Sequence, residues 1–255
     1  MMSQTTRGTG VVSFATNPRP ALRLICVPYA GGGIAVFSKW AESLPPEVQV
    51  CAIQLPGRDT QLRVPPFTRI KPLVEVLVEV LDPFLDAPFA LFGHSMGGLI
   101  IFELARALRQ KQLRPTHFFV SACRAPQRPD RESPLHRLPD DALIRALRGR
   151  YDGIPDFVLQ EPELLKMYLA ILRADFELYE TYQHQDSERF DFPISAYGGR
   201  EDGEVSREDL AAWQDQTRSA FRVQMFPGNH FFINTARPAL LRALNQELTT
   251  YLVRR

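Results

Sequence analysis

The chain has 255 residues, of which 45% are hydrophobic, and its 30 Lys and Arg nearly balance its 29 Asp and Glu, for a formal net charge of +1. This length and composition favour one large soluble domain with a sizeable core. The balanced charge supplies no overall field, so we expect neither nucleic acid nor a membrane as a main partner. Residues 1–20 are polar and lack the apolar segment of a signal peptide, and we interpret them as a flexible tail.

Three cysteines, Cys26, Cys51 and Cys123, each lie inside an apolar run. An odd number without CxxC spacing fits neither a disulfide framework nor a zinc site. Free cysteines are commonly buried, so these indicate reduced thiols in a cytoplasmic protein. The five histidines form no metal-like cluster in the sequence, and we expect neither a metal nor a cofactor.

Short apolar runs alternate with helical patterns along the rest of the chain. Six runs suit strands buried on both faces of a parallel sheet, namely residues 21–27, 48–54, 88–92, 117–122, 192–197 and 221–226. Apolar spacing predicts helices over 69–82, 96–110, 206–213 and 237–253. Ser206 and Asp209 resemble a capping box at the start of the third helix. The alternation predicts an α/β fold, with a mainly parallel central sheet flanked by helices, in one domain over residues 21–255.

Residues 125–190 interrupt this alternation. They contain no convincing strand pattern, only helical patterns over 139–149 and 162–183. The second pattern is too apolar for a freely solvated arm. We interpret 125–190 as a helical lid insertion covering the carboxyl edge of the sheet, where open α/β sheets bind ligands. The alternative is an ordinary part of the core.

The sharpest local signal is GHSMG at residues 93–97, a match to G-x-S-x-G. It follows the apolar run 88–92 and opens the apolar helix 96–110, the strand–turn–helix context that this motif requires. Such a turn lifts the Ser95 hydroxyl clear of the sheet, and flanking glycines allow the close backbone approach. The pattern predicts Ser95 as the nucleophile of an α/β-hydrolase fold.

A serine hydroxyl needs an adjacent base, and His230 has the best context for that role. It lies in a loop after run 221–226 and before the last helix, and the order Ser, acid, His is that of α/β-hydrolases. The acid should follow a strand between the two. Asp202 is our choice, with Glu201 as the neighbouring alternative and Asp175 as a more distant one. His94 adjoins the nucleophile in the turn, and we interpret it as structural.

The oxyanion formed during acyl transfer needs two N–H donors. Met96, directly after the nucleophile, supplies the first. The glycine-rich stretch PYAGGG at 28–33 follows the first strand and supplies the second, with Ala30 preferred and Tyr29 as the alternative. A dinucleotide site is disfavoured because the stretch lacks the G-x-G-x-x-G spacing and a following acidic residue.

Seven sequence blocks carry a family resemblance that runs from about Arg23 to the C-terminus. They are PYAGG at 28–32, QLPGR at 54–58, GHSMGG at 93–98, SACRAP at 121–126, LPDD at 138–141, LRADF at 172–176 and GNHFF at 228–232. With these blocks the chain resembles type II thioesterases of polyketide and nonribosomal peptide synthase clusters, which serve antibiotic biosynthesis.

The resemblance implies the triad Ser95, Asp202 and His230, a helical lid, and an editing activity. Such enzymes hydrolyse acyl thioesters from the phosphopantetheine arm of acyl or peptidyl carrier domains. Family members usually have Glu and a nearby Arg where this chain has Asp59 and Gln61, and often a proline where it has Ala170. These departures bear on substrate preference or carrier docking.

Three functional hypotheses follow from the sequence. The first is a monomeric thioesterase whose acyl chamber is lined by Leu165, Leu169 and Phe176, as their helical spacing suggests. The second is a carboxylesterase or acyltransferase with the same triad, since fold and triad do not fix the leaving group. The third is a carrier-protein-binding module with incidental hydrolysis.

Overall fold

The computed structural model describes residues 6, 8–14, 17, 19–128, 134–151, 154 and 156–253. Within them a seven-stranded sheet has the order β1-β3-β2-β4-β5-β6-β7. The strands are β1 Gly10–Ser13, β2 Leu22–Val27, β3 Val48–Gln54, β4 Phe89–His94, β5 Phe118–Ser121, β6 Ile194–Gly199 and β7 Phe221–Phe226. All neighbouring pairs are parallel except β1 with β3. The six predicted strands and the mainly parallel sheet are confirmed.

Strand β1 lies in the segment predicted to be a flexible tail, and that prediction is wrong for Gly10–Ser13. The strand pairs antiparallel with β3, Gly10 opposite Gln54 and Ser13 opposite Cys51, and Val11 is buried in the core. Four residues are too short to show an alternating pattern, and the free edge of β3 is what makes them a strand. Residues 1–5 of the predicted tail lie outside the described residues.

Helices pack on both faces of the sheet, and three further helices lie in the segment between β5 and β6. The helices are α1 Ile70–Leu81, α2 Met96–Gln110, α3 Asp140–Tyr151, α4 Asp156–Gln160, α5 Pro162–Glu180, α6 Arg207–Ala211, α7 Phe232–Thr235 and α8 Arg237–Val253. The capping box of Ser206 and Asp209 is confirmed at the start of α6, although the α-helix ends at Ala211 and a 3-10 turn carries the chain to Gln216. No helix among the described residues is long and apolar enough to span a bilayer.

Alternate residues of each central strand enter two different hydrophobic clusters. In β2, Leu24 packs with Phe37, Trp40 and the α8 leucines, whereas Ile25 packs with α1 and α2. Both faces of the sheet are therefore buried, as the continuously apolar strand sequences predict. This places the carboxyl ends of β2, β4 and β6 at one edge, where the loops that follow them can meet.

Helices α3, α4 and α5 form a layer of their own above that edge, within the predicted insertion 125–190. They share a third hydrophobic cluster, which consists of Leu135, Leu143, Leu147, Ile154, Val158, Leu169, Leu172 and Phe176. Ala30, in the loop after β2, packs against both this cluster and the main core. Residues 129–133, 152–153 and 155 of the segment lie outside the described residues. That the layer moves as a lid stays a prediction.

Candidate active site

Ser95 occupies the sharp corner between β4 and α2. Its φ is 54° and its ψ is −123°, a conformation that a side-chain-bearing residue rarely adopts. The neighbouring glycines make the corner possible: a Cβ at Gly93 would lie 2.2 Å from the Gly97 carbonyl oxygen, and one at Gly97 would lie 2.3 Å from the Val27 carbonyl oxygen. This strained backbone holds the half-buried Ser95 side chain above the sheet.

Replacement of Gly93 by alanine is expected to lower the free energy of unfolding by about 1–3 kcal/mol and to reduce activity, because the added methyl group meets rigid backbone. Urea unfolding followed by circular dichroism measures the change. Gly149→Ala in α3 is the matched control: nothing lies within 4 Å of its added Cβ, and alanine in a helix should stabilise by up to about 1 kcal/mol. Equal stabilities for the two variants would contradict the close packing at the corner.

The loops after β6 and β7 bring a carboxylate and an imidazole to this serine. His230 Nε2 lies 3.0 Å from Ser95 Oγ, and His230 Nδ1 lies 2.9 Å from Asp202 Oδ2. The other Asp202 oxygen, Oδ1, accepts from the Glu204 and Val205 amides at 2.9 and 3.2 Å. A carboxylate only accepts, so Nδ1 carries the proton and Nε2 is left to accept the serine proton.

The structure favours Asp202 over the two other acids considered from the sequence. The Asp202 side chain is fully buried against the His230 ring. Glu201 is exposed to solvent. Asp175 instead forms a buried ion pair with Arg58.

His94 supports the His230 loop from within the core. Its Nε2 donates to the His230 carbonyl oxygen at 2.9 Å, so its Nδ1 accepts from Ser121 Oγ at 2.8 Å. Complete burial is the main reason that the pKa of His94 falls well below its usual value. The neutral ring fits the structural role that the sequence suggested.

The loop after β2 borders the cavity at Ser95 through Ala30. The Gly32 N–H donates to the Tyr29 carbonyl oxygen at 2.9 Å, and the Gly31 N–H donates to Asp175. The Ala30 N–H shares a planar peptide with that Tyr29 carbonyl and points the opposite way. Met96 begins α2, where first-turn amides have no partner within the helix. Both Ala30 and Met96 line a cavity with Ser95 and His230, as expected of oxyanion donors.

Two neighbouring spaces share Ser95 and His230 in their linings. One of about 40 Å³ has a mixed lining that includes the charged residues Arg124, Arg150 and Glu204. The other, of about 30 Å³, lies under the helical layer and is lined mainly by apolar and aromatic side chains: Tyr29, Leu147, Tyr151, Ile154, Tyr168, Leu172, Phe176 and Phe231. The Tyr151 ring at the end of α3 packs edge-on against His230, with ring centres 5.0 Å apart. The layer therefore covers the catalytic base.

Of the three predicted chamber residues, only Phe176 lines these spaces. Leu165 and Leu169 pack within the α3–α5 cluster, and that they contact the acyl group stays a prediction. Leu165 lies about 16 Å from Phe176 along α5, at 1.5 Å per residue. Leu169 lies between Tyr168 and Leu172 along the helix, but it packs into the α3–α5 cluster. Leu172 and Tyr168, on the same face, were not singled out as lining residues.

No cluster of three or more His, Cys, Asp or Glu side chains in the described ranges is arranged to hold a metal ion. The three cysteines are free and buried. Burial is the main reason that the pKa of Cys51 rises to about 11 and that of Cys123 to about 12, so both stay as unreactive thiols near neutral pH.

The corner serine, the imidazole and carboxylate brought to it by later loops, and the parallel sheet beneath define a serine hydrolase of the α/β-hydrolase fold. Comparison with known proteins specifies the family. The thioesterase domain family matches residues 22–248. The chain belongs to the thioesterase family, hydrolases that act on thioesters.

Several relatives match over nearly their whole length. The chain is 42% identical to the gramicidin S biosynthesis protein GrsT of Aneurinibacillus migulanus, covering 93% of each chain. It is 37% identical to the RedJ thioesterase of the prodiginine pathway in Streptomyces coelicolor, with a TM-score of 0.84 over 89% of this chain and 91% of that one. The type II thioesterase YbtT of the yersiniabactin NRPS/PKS pathway has a TM-score of 0.82 and 27% identity, over 93% of this chain and 97% of that one.

Proposed function

We propose that this protein is an editing type II thioesterase that removes acyl groups from the phosphopantetheine arm of carrier domains in a polyketide or nonribosomal peptide synthase. The observation that carries the proposal is the continuous hydrogen-bonded line from Ser95 through His230 to Asp202, beneath a helical layer with a small apolar space. The pathways named for GrsT, RedJ and YbtT support the kind of substrate.

In the first half-reaction, His230 Nε2 accepts the Ser95 proton while Oγ attacks the thioester carbonyl carbon. The carbonyl π electrons move to oxygen, and the Ala30 and Met96 amides stabilise that negative charge. Asp202 stabilises the imidazolium through Nδ1–H. The carbon–sulfur bond then breaks, the pantetheine sulfur takes the proton from Nε2, and an acyl group stays on Ser95.

In the second half-reaction, water replaces the thiol. His230 Nε2 accepts a proton from water as its oxygen attacks the acyl-serine carbonyl, and the same two amides hold the new oxyanion. Collapse breaks the bond to Ser95 Oγ, which regains the proton from Nε2, and a free acid leaves. In this reaction, side chains of the triad move the protons, backbone amides hold the oxyanion, and water supplies the second nucleophile.

We place the acyl chain in the apolar space beneath α5, against Leu172 and Phe176, and the polar arm on the side of Arg124 and Glu204. The support is the difference between the two linings around one serine.

Incubation with acyl-loaded carrier protein, followed by intact mass spectrometry, tests the proposal. We expect the acyl mass to disappear while the phosphopantetheine remains, and thioesters to be cleaved at least about ten times faster than oxygen esters of the same acyl group. A preference for oxygen esters, or acyl transfer to an added alcohol in place of water, would identify the carboxylesterase or acyltransferase alternative. Carrier binding without loss of the acyl mass would identify a binding module.

The same proposal includes a cytoplasmic location, because the carrier-bound substrates are made there and because three buried cysteines stay reduced there. It also includes a monomeric state. Size-exclusion chromatography with light scattering checks the monomeric state, and fractionation of the producing cell checks the compartment.

A further inference from the structure

Arg58 and Asp175 have no part in the triad, yet they form a buried ion pair beside the active site. Their side chains are only 6% and 3% exposed. Arg58 Nη1 and Nη2 donate to Asp175 Oδ2 and Oδ1, both at 2.7 Å, so the pair is bidentate. Removing two charges from water is costly, and such pairs add little to stability compared with apolar residues of similar volume. The pair therefore calls for an explanation other than stability.

The carboxylate has a third donor, the Gly31 amide in the loop after β2. The Gly31 N–H lies 2.8 Å from Asp175 Oδ2, and Arg58 Nη1 also donates to the Gly32 carbonyl oxygen at 3.3 Å. Asp59, next to Arg58, accepts from the Ile34 amide at 3.1 Å at the other end of the loop. The ion pair thus joins the loop after β2, the segment after β3, and helix α5.

These contacts fix the peptides on both sides of Ala30. Tyr29 to Gly32 form a turn closed by the Gly32 N–H to Tyr29 carbonyl bond, with Gly31 at a φ of +75° in its third position. That bond sets the plane of the peptide that carries the Ala30 N–H. The Gly31 N–H bond to Asp175 sets the plane of the next peptide. With both planes set, the Ala30 amide is held in a single orientation, in a residue that lines the cavity with Ser95.

The loop also packs directly on one face of α5. A Cβ at Gly31 would lie 2.7 Å from Leu172 Cδ2 and 2.9 Å from Tyr168 Oη. Tyr168, Leu172 and Asp175 are spaced at i, i+4 and i+7, which places them on one face of the helix. A shift of α5 away from the loop would therefore break the Gly31 bond and the packing together.

We propose that Arg58 and Asp175 are positioning residues that hold the Ala30 amide in the oxyanion hole, so that the hole is complete only while α5 is seated on the loop after β2. The inference rests on the proposed function in one respect: ester cleavage must pass through an oxyanion held by Ala30. In this way the ion pair couples the position of α5, in the helical layer, to the Ala30 amide that stabilises the transition state.

Two double variants separate this role from simple stabilisation. Arg58→Met with Asp175→Leu replaces the ion pair by apolar side chains and removes the acceptor for the Gly31 amide. Arg58→Met with Asp175→Asn also removes the ion pair but keeps an oxygen for that amide. Steady-state kinetics use a p-nitrophenyl ester, because the oxyanion hole acts on any ester. If the protein does not cleave thioesters, the proposed function is contradicted, but the two double variants can still be compared by their cleavage of the p-nitrophenyl ester.

The Leu double variant should have a kcat about 10-fold to 100-fold below that of the Asn double variant, with KM within about two-fold, since losing a donor outright costs about 10²-fold to 10³-fold. Glu177→Gln removes a more exposed ion pair, which joins α5 to Arg69 at the start of α1, and should retain wild-type kcat. Equal kcat values for the two folded double variants would overturn the proposal.

If the Leu variant does not fold, amide exchange in the wild type decides: a protected Gly31 amide supports the proposal, and exchange at the rate of an open loop overturns it.

Discussion

Ser95→Ala should lower the rate of thioester hydrolysis by about 10³-fold to 10⁶-fold, the range seen when a triad nucleophile is removed. The Ser95 hydroxyl is 3.0 Å from His230 Nε2 and lines both spaces at the active site. Alanine keeps the Cβ that the strained corner already accommodates, so the fold should be unchanged. Steady-state kinetics with an acyl-pantetheine thioester, alongside circular dichroism, measure both effects.

The exposed Ser43 offers a matched control. Ser43→Ala should retain wild-type turnover. A loss of less than about tenfold for Ser95→Ala would mean that another group attacks the thioester.

Asp202→Asn should lower kcat by about 10⁴-fold with little change in stability. Two amides, from Glu204 and Val205, donate to Asp202 Oδ1. In the variant the asparagine oxygen will keep these bonds, which turns its NH2 group toward His230 Nδ1. The ring must then accept at Nδ1 and carry its proton on Nε2, the nitrogen that should receive the serine proton.

Glu201→Gln is the control for this prediction, because Glu201 is the exposed neighbouring acid. It should leave kcat within about two-fold of the wild type, as for most surface substitutions. A large loss of kcat in Glu201→Gln and none in Asp202→Asn would identify Glu201 as the carboxylate that orients His230.

Much of this site could be predicted from the sequence because its signals are local. The motif at 93–97 needs only a strand before it and a helix after it, and both are apolar enough to recognise. His230 follows from the order of elements and the position of its loop. The choice between Asp202 and Glu201 was open, since adjacent residues of a loop differ only in which one turns toward the ring.

The features that the sequence did not show depend on contacts between distant segments. Strand β1 is defined by its pairing with β3, about 40 residues later in the chain. The spacing of Leu165, Leu169 and Phe176 indicated a helix face, but which residues of that face reach the space at Ser95 depends on how α5 packs against α3, α4 and the loop after β2. Arg58 and Asp175 both lay in recognised motifs, yet their pairing across 117 residues is visible only once α5 packs on the loop after β2.

Labelling with a fluorophosphonate probe tests most directly whether Ser95 is an activated nucleophile. Ser95 Oγ, deprotonated by His230, attacks the phosphorus of the probe and fluoride leaves. The product is a tetrahedral phosphonate ester on Ser95, whose phosphoryl oxygen takes the position of the oxyanion, within reach of the Ala30 and Met96 amides. Peptide mass spectrometry should find one equivalent of probe on the peptide that contains Ser95, none on Ser95→Ala, and slow labelling of Asp202→Asn. An unlabelled wild-type protein, or probe attached to a different residue, would contradict the account.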